Sequence, residues 1–218
     1  MLKSVTILWY QLLDLIAPHR ENFTVIQKLT AEDIPSLPKS SPVSGHSYVH
    51  ALFQYRDYRV RALIWELKYR HNTLHLETIG QLLYDEILAL MTDAILFDCD
   101  SKWILIPIPI SRERRIERGY NQSEYIAKAI FMCDTSHTML YAPQWLEKIK
   151  ETPKQSRSLS RQERMKNLVG CFSANPQVEN AYVVLIDDVV TTGSTLAEAR
   201  ETLLGVGAKN VFAFTIAH

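Results

Sequence analysis

Cysteine is scarce in this chain and poorly spaced for bridging or metal binding. Cys99, Cys133 and Cys171 are its three cysteines, and they form no C-x-x-C pair. Neither a disulfide framework nor a zinc site is expected, and a reduced, cytoplasmic setting is the simplest expectation. Net charge is also missing, since 24 basic residues balance 24 acidic ones. No chain-wide attraction to nucleic acid or membrane follows, so such binding needs a local patch. Long apolar runs are absent too. The segment from Val5 to Ile16 contains Gln11 and Asp14 and falls short of the roughly 20 apolar residues a membrane span needs. It also lacks a small-residue cleavage site, which argues against a signal peptide. A packed or interfacial helix is expected there. The seven histidines show no ligand spacing, and there are no internal repeats or low-complexity tracts.

What is present is enough apolar material for one sizeable core: 47% of 218 residues are hydrophobic. Residues 1–45 differ from the rest. An apolar helix is followed by a polar stretch with Pro35, Pro38 and Pro42, where regular structure should be sparse. This region reads as a loosely attached appendage, and residues 46–218 as the main domain. Residues 47–56 have strand character. From Asp57 a helix is expected, because Val60, Leu63, Ile64 and Leu67 make one apolar stripe. Arg59, Arg61 and Lys68 form its basic face: a solvated surface, or a surface for a partner or single-stranded DNA with Tyr55, Tyr58 and Trp65 for stacking. A second helix is predicted over residues 77–91. Trp103 to Ile106 reads as a buried strand stopped by Pro107 and Pro109. Asn121 with Glu124 is a capping-box-like start for another helix. Residues 134–150 carry no clear pattern, and a further strand is expected to begin at Cys171-Phe172. Strands alternating with helices argue for an α/β architecture, mostly parallel.

The most informative stretch runs from Val183 to Thr195, Val-Val-Leu-Ile-Asp-Asp-Val-Val-Thr-Thr-Gly-Ser-Thr. Four apolar residues make a buried strand, Asp187 and Asp188 follow where it should surface, and a helix is expected from Leu196 to Leu204. In open α/β sheets ligands bind beyond the carboxyl ends of the strands. A helix N-terminus there suits a phosphate. Thr191, Thr192, Ser194 and Thr195 add hydroxyls, and Gly193 permits close approach or positive φ. Thr195 with Glu198 also has capping-box spacing, so Thr195 caps the helix, touches ligand, or does both. Two carboxylates beside a phosphate suit ribose hydroxyls or a Mg²⁺ ion. A P-loop reading needs G-x-x-x-x-G-K-S/T, which is absent. A flavodoxin-like acidic site leaves the hydroxyl-rich turn unexplained.

This stretch resembles the phosphoribosyl pyrophosphate (PRPP) motif of type I phosphoribosyltransferases. Other motifs narrow the resemblance to the ComF (GntX-like) branch: Leu67-Lys68-Tyr69, Pro107-Ile108-Pro109-Ile110, Arg118-Gly119-Tyr120-Asn121-Gln122, Thr152-x-x-Gln155, Arg164-x-x-Asn167 and Gly170-x-Phe172. It spans roughly residues 47–218. The resemblance implies a type I phosphoribosyltransferase fold, a twisted, mainly parallel sheet flanked by helices. It implies that Asp187 and Asp188 bind the ribose hydroxyls and that Thr191 to Thr195 cradle the 5′-phosphate. Pro107, Ile108, Pro109 and Ile110, with Arg112 and Arg118, become the pyrophosphate loop. Residues 148–167, among them Lys150, Thr152, Gln155, Arg164 and Asn167, become the loop that closes over the ligand.

The implied activity is Mg²⁺-dependent displacement of pyrophosphate at the ribose anomeric carbon, with Mg²⁺ carried by PRPP and no direct protein ligand. The alternative is a non-catalytic accessory role in DNA uptake, with single-stranded DNA or a helicase as partner. Many relatives carry a zinc ribbon at the N-terminus. Here Leu12 to Pro18 resembles the segment leading into it, but His19-Arg20-Glu21-Asn22 stands where the first cysteine pair belongs. Without thiolates no tetrahedral zinc site is expected, so residues 1–45 read as a degenerate remnant.

Overall fold

The computed structural model describes residues 28–69, 73–95, 98, 102–112, 115–116, 119–150 and 170–218. Seven strands appear among them: β1 (Val49–Phe53), β2 (Trp103–Pro107), β3 (Met139–Tyr141), β4 (Leu146–Lys148), β5 (Phe172–Ala174), β6 (Tyr182–Val189) and β7 (Asn210–Ala217). The helices are α1 (Tyr58–Tyr69), α2 (Thr73–Ile95), α3 (Gln122–Cys133) and α4 (Ser194–Gly205). Five strands form one sheet in the order β1-β7-β6-β2-β3, and every pairing in it is parallel. β4 and β5 form a separate antiparallel pair. This is the α/β, type I phosphoribosyltransferase-like architecture expected from the sequence.

Strand alternation divides the core into two layers. On one face Leu105, Val184, Ile186, Phe214 and Ile216 meet Val60, Leu63 and Leu67 of α1, Ile79, Leu83 and Ile87 of α2, and Ile126 and Ile130 of α3. On the other, Ile104, Ile106, Val183, Leu185, Val211 and Ala213 meet Leu196, Ala199 and Leu203 of α4. A strand buried on both faces cannot alternate apolar with polar residues, which is why Val183 to Ile186 is uninterruptedly apolar.

The connection from β2 through α3 leads outward to β3, whereas that from β6 through α4 leads the opposite way to β7. The neighbouring strands β2 and β6 therefore send their connections apart. The crevice between their carboxyl ends is the topological switch point where such sheets bind ligands.

Some elements differ from the sequence reading. α2 is longer than expected, and the unreadable 134–150 stretch contains the two short strands β3 and β4. Short strands carry too few residues for a period to show. Asp187 and Asp188 lie inside β6, paired at Asp187 with Thr215, rather than beyond it. The connector over residues 29–43 is not loose: Leu29, Ile34 and Leu37 enter the first core layer and Val43 the second. Residues 1–27 lie outside the described set. No helix among the described residues is long and apolar enough to cross a membrane.

The closest helix packing is between α2 and α3. A Cβ placed on Gly80 would stand 2.8 Å from the Ala129 Cβ and 2.9 Å from its backbone carbon. We predict that Gly80→Ala destabilises by about 1–3 kcal/mol, the usual cost of overpacking, despite alanine's better helix propensity. Urea melts of wild type, Gly80→Ala and Gly80→Ala/Ala129→Gly check this. The double variant should recover part of the loss, because the Cβ–Cβ contact goes and the backbone contact stays.

Candidate active site at the ends of β2 and β6

β6 delivers Asp187 and Asp188 to the switch point, and β2 delivers the loop beginning at Pro107. The two are locked in register: Pro107 pairs with Ile186, and the Ile108 N–H donates to the Ile186 carbonyl at 2.9 Å. Asn121 caps α3, its side-chain oxygen accepting from the Ser123 N–H at 3.2 Å. Its amide nitrogen donates to the Ile108 carbonyl at 2.9 Å. The head of α3 is thus tied to the β2 loop. Glu124, the expected capping-box partner, pairs instead with Arg115.

From this anchored helix start, the Ser123 hydroxyl donates to Asp187 Oδ1 at 2.9 Å. The Asp188 N–H donates to the same oxygen at 2.9 Å. Burial pushes the Asp187 carboxyl up to about 7, and the neighbouring Asp188 charge adds to the rise; the two hydrogen bonds and Lys68 oppose it. Asp188 accepts from the Val189 N–H at 2.7 Å through one oxygen. Its other oxygen meets Lys68 Nζ at 2.7 Å. Lys68 closes the last turn of α1, and its carbonyl accepts from the Tyr120 hydroxyl.

The turn after β6 takes its shape from Gly193, which has φ +72° and is the N-cap of α4. Thr195 lies within the helix and does not cap it. Glu198 instead accepts from the Gly170 N–H at 2.6 Å. The Thr192 and Ser194 hydroxyls are 2.9 Å apart. On the other side of the turn stands His46, whose Nε2 is 3.3 Å from the Thr192 carbonyl and whose Nδ1 is 3.2 Å from the Tyr48 hydroxyl. A carbonyl only accepts, so Nε2 carries the proton and Nδ1 accepts from Tyr48. A Cβ at Gly193 would be 2.6 Å from His46 Nε2. Glycine is required here twice over, by backbone conformation and by the imidazole against it.

The other expected residues divide into those in place and those outside the described set. Ile108 is buried, while Pro109 and Ile110 are half-exposed and Arg112 is exposed. Lys150 stands at the mouth of the β4–β5 pair. There the Ile149 N–H donates to the Cys171 carbonyl at 2.8 Å, and Lys150 Nζ lies 3.0 Å from where a Gly170 Cβ would be. Arg118, Thr152, Gln155, Arg164 and Asn167 lie outside the described residues. Ser123 and His46 are not expected at the site; Asn121 is expected only as a helix cap or as part of a family motif, and Lys68 only on a helix surface or as part of a family motif. His46 reaches Thr192 across 146 positions, a separation that leaves no local signal.

For Mg²⁺, the donor set is two hard carboxylates with most of their oxygens already engaged. No group of three His, Cys, Asp or Glu side chains suited to a metal occurs among the described residues. These residues fit a Mg²⁺ ion held chiefly by ligand phosphates and water, the usual situation for that ion, and do not fit a closed protein cage.

A parallel sheet, an acid pair at its switch point and a Gly-turned helix start beside it define a phosphoribosyltransferase-fold protein. The phosphoribosyl transferase domain family matches residues 144–218. The DNA utilization protein YhgH of Salmonella typhimurium is 28% identical over 181 residues, covering 81% of this chain and 76% of that protein. The competence protein ComFC of Bacillus subtilis is 35% identical over 118 residues, covering 54% of this chain and 45% of that protein. Competence protein F of Haemophilus influenzae is 33% identical over 119 residues, covering 49% and 46% respectively. The chain thus resembles ComF-like proteins and shares with them the phosphoribosyl transferase domain.

Two predictions follow from this geometry. Because the folded-state value of Asp187 lies above the ordinary carboxylate range of about 4, the native state binds the extra proton. Its stability contribution is full below about pH 4 and is lost as pH rises through about 7. Asp187→Asn keeps both accepted hydrogen bonds and removes the charge. It should stabilise by on the order of 1 kcal/mol or more at pH 8 and by less at pH 5, one unit of pKa being about 1.4 kcal/mol. Urea melts at the two pH values check this. Gly193→Ala should destabilise by about 1–2 kcal/mol from left-handed strain alone, and by more if His46 cannot move. Thermal melts of Gly193→Ala with and without His46→Ala separate the two contributions.

Proposed function

We propose that this protein binds PRPP, or another ribose 5-phosphate compound, at the β2–β6 crevice and displaces pyrophosphate at the anomeric carbon. The observation that carries the reading is the acid pair at the switch point, one turn of chain before a helix N-terminus headed by Gly193. Asp187 and Asp188 bind the ribose hydroxyls. With its carboxyl near 7, Asp187 can accept from or donate to a hydroxyl at neutral pH. The 5′-phosphate sits on Thr191, Thr192, Gly193, Ser194 and Thr195, where the N-terminal end of α4 and its dipole favour an anion. Its first intrahelical bond runs from the Ala197 N–H to the Gly193 carbonyl at 2.8 Å.

The diphosphate lies along Pro107 to Ile110, with Arg112 and Arg118 as forked donors to its oxygens. The loop of residues 148–167, with Lys150, Thr152, Gln155, Arg164 and Asn167, has the role of closing over it and excluding water from the anomeric carbon. A bond from the acceptor forms at C1′ as the bond from C1′ to the diphosphate oxygen breaks, and the electron pair leaves with pyrophosphate. Mg²⁺, when bound, neutralises charge on the diphosphate and makes it a better leaving group.

A second reading is favoured by the names of the relatives. Two are competence proteins and one is a DNA utilization protein. In this reading the chain serves DNA uptake, with the same pocket sensing a ribose phosphate and with single-stranded DNA or a helicase as partner. The net charge of zero gives no general affinity for DNA, so a local surface must supply it.

Titration calorimetry with PRPP and Mg²⁺ tests the first reading. Wild type should release or absorb heat, and Asp187→Ala/Asp188→Ala should bind at least about tenfold more weakly, a loss of about 1.4 kcal/mol. Absence of heat from native protein would sink it. Pyrophosphate release across a panel of nucleobases and amines then separates the two: turnover supports the transferase, and binding without turnover, with retention of single-stranded DNA, supports the accessory role.

A further inference from the structure

We propose that Lys68 is the resident counter-ion of the acid pair. It occupies the cation position at Asp188, so the ribose 5-phosphate part of the ligand binds without a divalent metal. The proposal rests on the ribose-phosphate reading of the site and assigns a division of labour within it: Mg²⁺ serves the diphosphate, and Lys68 serves the sugar end.

Lys68 Nζ contacts Asp188 Oδ2 at 2.7 Å, with the two side chains only 26% and 19% exposed. The other Asp188 oxygen is taken by the Val189 N–H. An approaching cation thus meets a carboxylate whose two oxygens are already engaged, one of them by a charge of its own sign. The ammonium is held in place by more than this contact. Lys68 lies in the last turn of α1, where the negative end of the helix dipole favours a cation. Its carbonyl accepts from Tyr120. Tyr120 immediately precedes Asn121, which caps α3, and Ser123 of that helix donates to Asp187. The contacts therefore run from Asp188 to Lys68, to Tyr120, to the head of α3 and back to Asp187. A circuit closed through α1, α3 and β6 holds the ammonium better than a lone surface pair, in which side-chain entropy offsets most of the attraction.

An ammonium also has three donors. One is committed to Asp188, and the others can reach a ribose hydroxyl. No third acidic, His or Cys ligand joins the pair among the described residues. Nothing in the described site would therefore favour a metal over the lysine already there.

The test uses the full chain and two probes, Mn²⁺ alone and ribose 5-phosphate. Mn²⁺ binding is followed by its electron paramagnetic resonance signal in wild type, Lys68→Met and Lys68→Arg. Ribose 5-phosphate binding is measured by calorimetry in chelator and in saturating Mg²⁺. Wild type should bind ribose 5-phosphate with affinities in the two conditions that agree within about twofold, well under 1 kcal/mol. Lys68→Met should bind Mn²⁺ about tenfold more tightly than wild type, and its ribose 5-phosphate affinity should become Mg²⁺-dependent. Lys68→Arg keeps the charge and should gain no affinity for Mn²⁺. Circular dichroism melts establish that each variant is folded.

The proposal is overturned if wild type binds ribose 5-phosphate only with Mg²⁺, or if folded Lys68→Met gains no affinity for Mn²⁺. If ribose 5-phosphate binds to no form in any condition, the ribose-phosphate reading fails together with the sugar half of the proposal. The Mn²⁺ comparison still decides whether Lys68 holds the cation position.

Discussion

A carboxyl group at the end of a strand buried on both faces is costly to ionise, and Asp187 is such a group. Its position follows from the burial of Val183 to Ile186, which leaves β6 no freedom to slide. Water is partly withdrawn from it, and a second acid follows directly. The surroundings answer with donors: the Ser123 hydroxyl, the Asp188 N–H and the Lys68 charge. They do not cancel the desolvation, since the carboxyl still rises to about 7. An imbalance of this kind at a cleft is typical of functional sites, because a group chosen only for stability would be better replaced by a neutral one.

The rest of the fold serves to hold those donors in place. Ser123 can reach Asp187 only if α3 begins at the right height above the sheet. That height is set by Asn121, which caps the helix with one side-chain atom and fastens it to the Ile108 carbonyl with the other. Ile108 in turn hangs from the Ile186 carbonyl. A single asparagine therefore couples the helix start, the β2 loop and β6. Lys68 depends on α1 packing through Val60, Leu63 and Leu67 on the same sheet face as Ile186. Side chains from two separate helices converge on two consecutive carboxylates because one core layer packs both helices against the same sheet face.

Much of this was legible in the sequence. The apolar run before Asp187, the glycine inside a hydroxyl-rich turn and the stripe of α1 each carry a local pattern, and each element formed where its pattern lies. The boundary of β6 is not legible because acids at a strand end look like a turn, while backbone pairing with Thr215 extends the strand through them. The start of α4 was misread for a related reason. Thr195 and Glu198 have capping spacing, but Gly193 already turns the chain, and Glu198 goes to the Gly170 N–H. β3 and β4 were invisible because three residues carry no period. Ser123, Lys68 and His46 join the site through contacts across 64, 120 and 146 positions respectively, and such pairings have no signature in a single sequence.

The turn at Gly193 shows how a distant residue and a local requirement reinforce one another. A left-handed glycine leaves a gap where a side chain would be, and His46 fills it from below. With Nε2–H directed to the Thr192 carbonyl, the imidazole holds that peptide group on the protein side. The Ser194 N–H at the start of α4 donates within the turn, to Thr192 Oγ1 at 3.4 Å. Tyr48 fixes the tautomer by donating to Nδ1, and its ring lies under the Arg200 guanidinium of α4, 4.7 Å from the centroid. The segment before β1 and the helix after β6 thus brace the same turn from two sides. If the turn holds a phosphate as proposed, its affinity depends on the rigidity of that brace as well as on the hydroxyls around it.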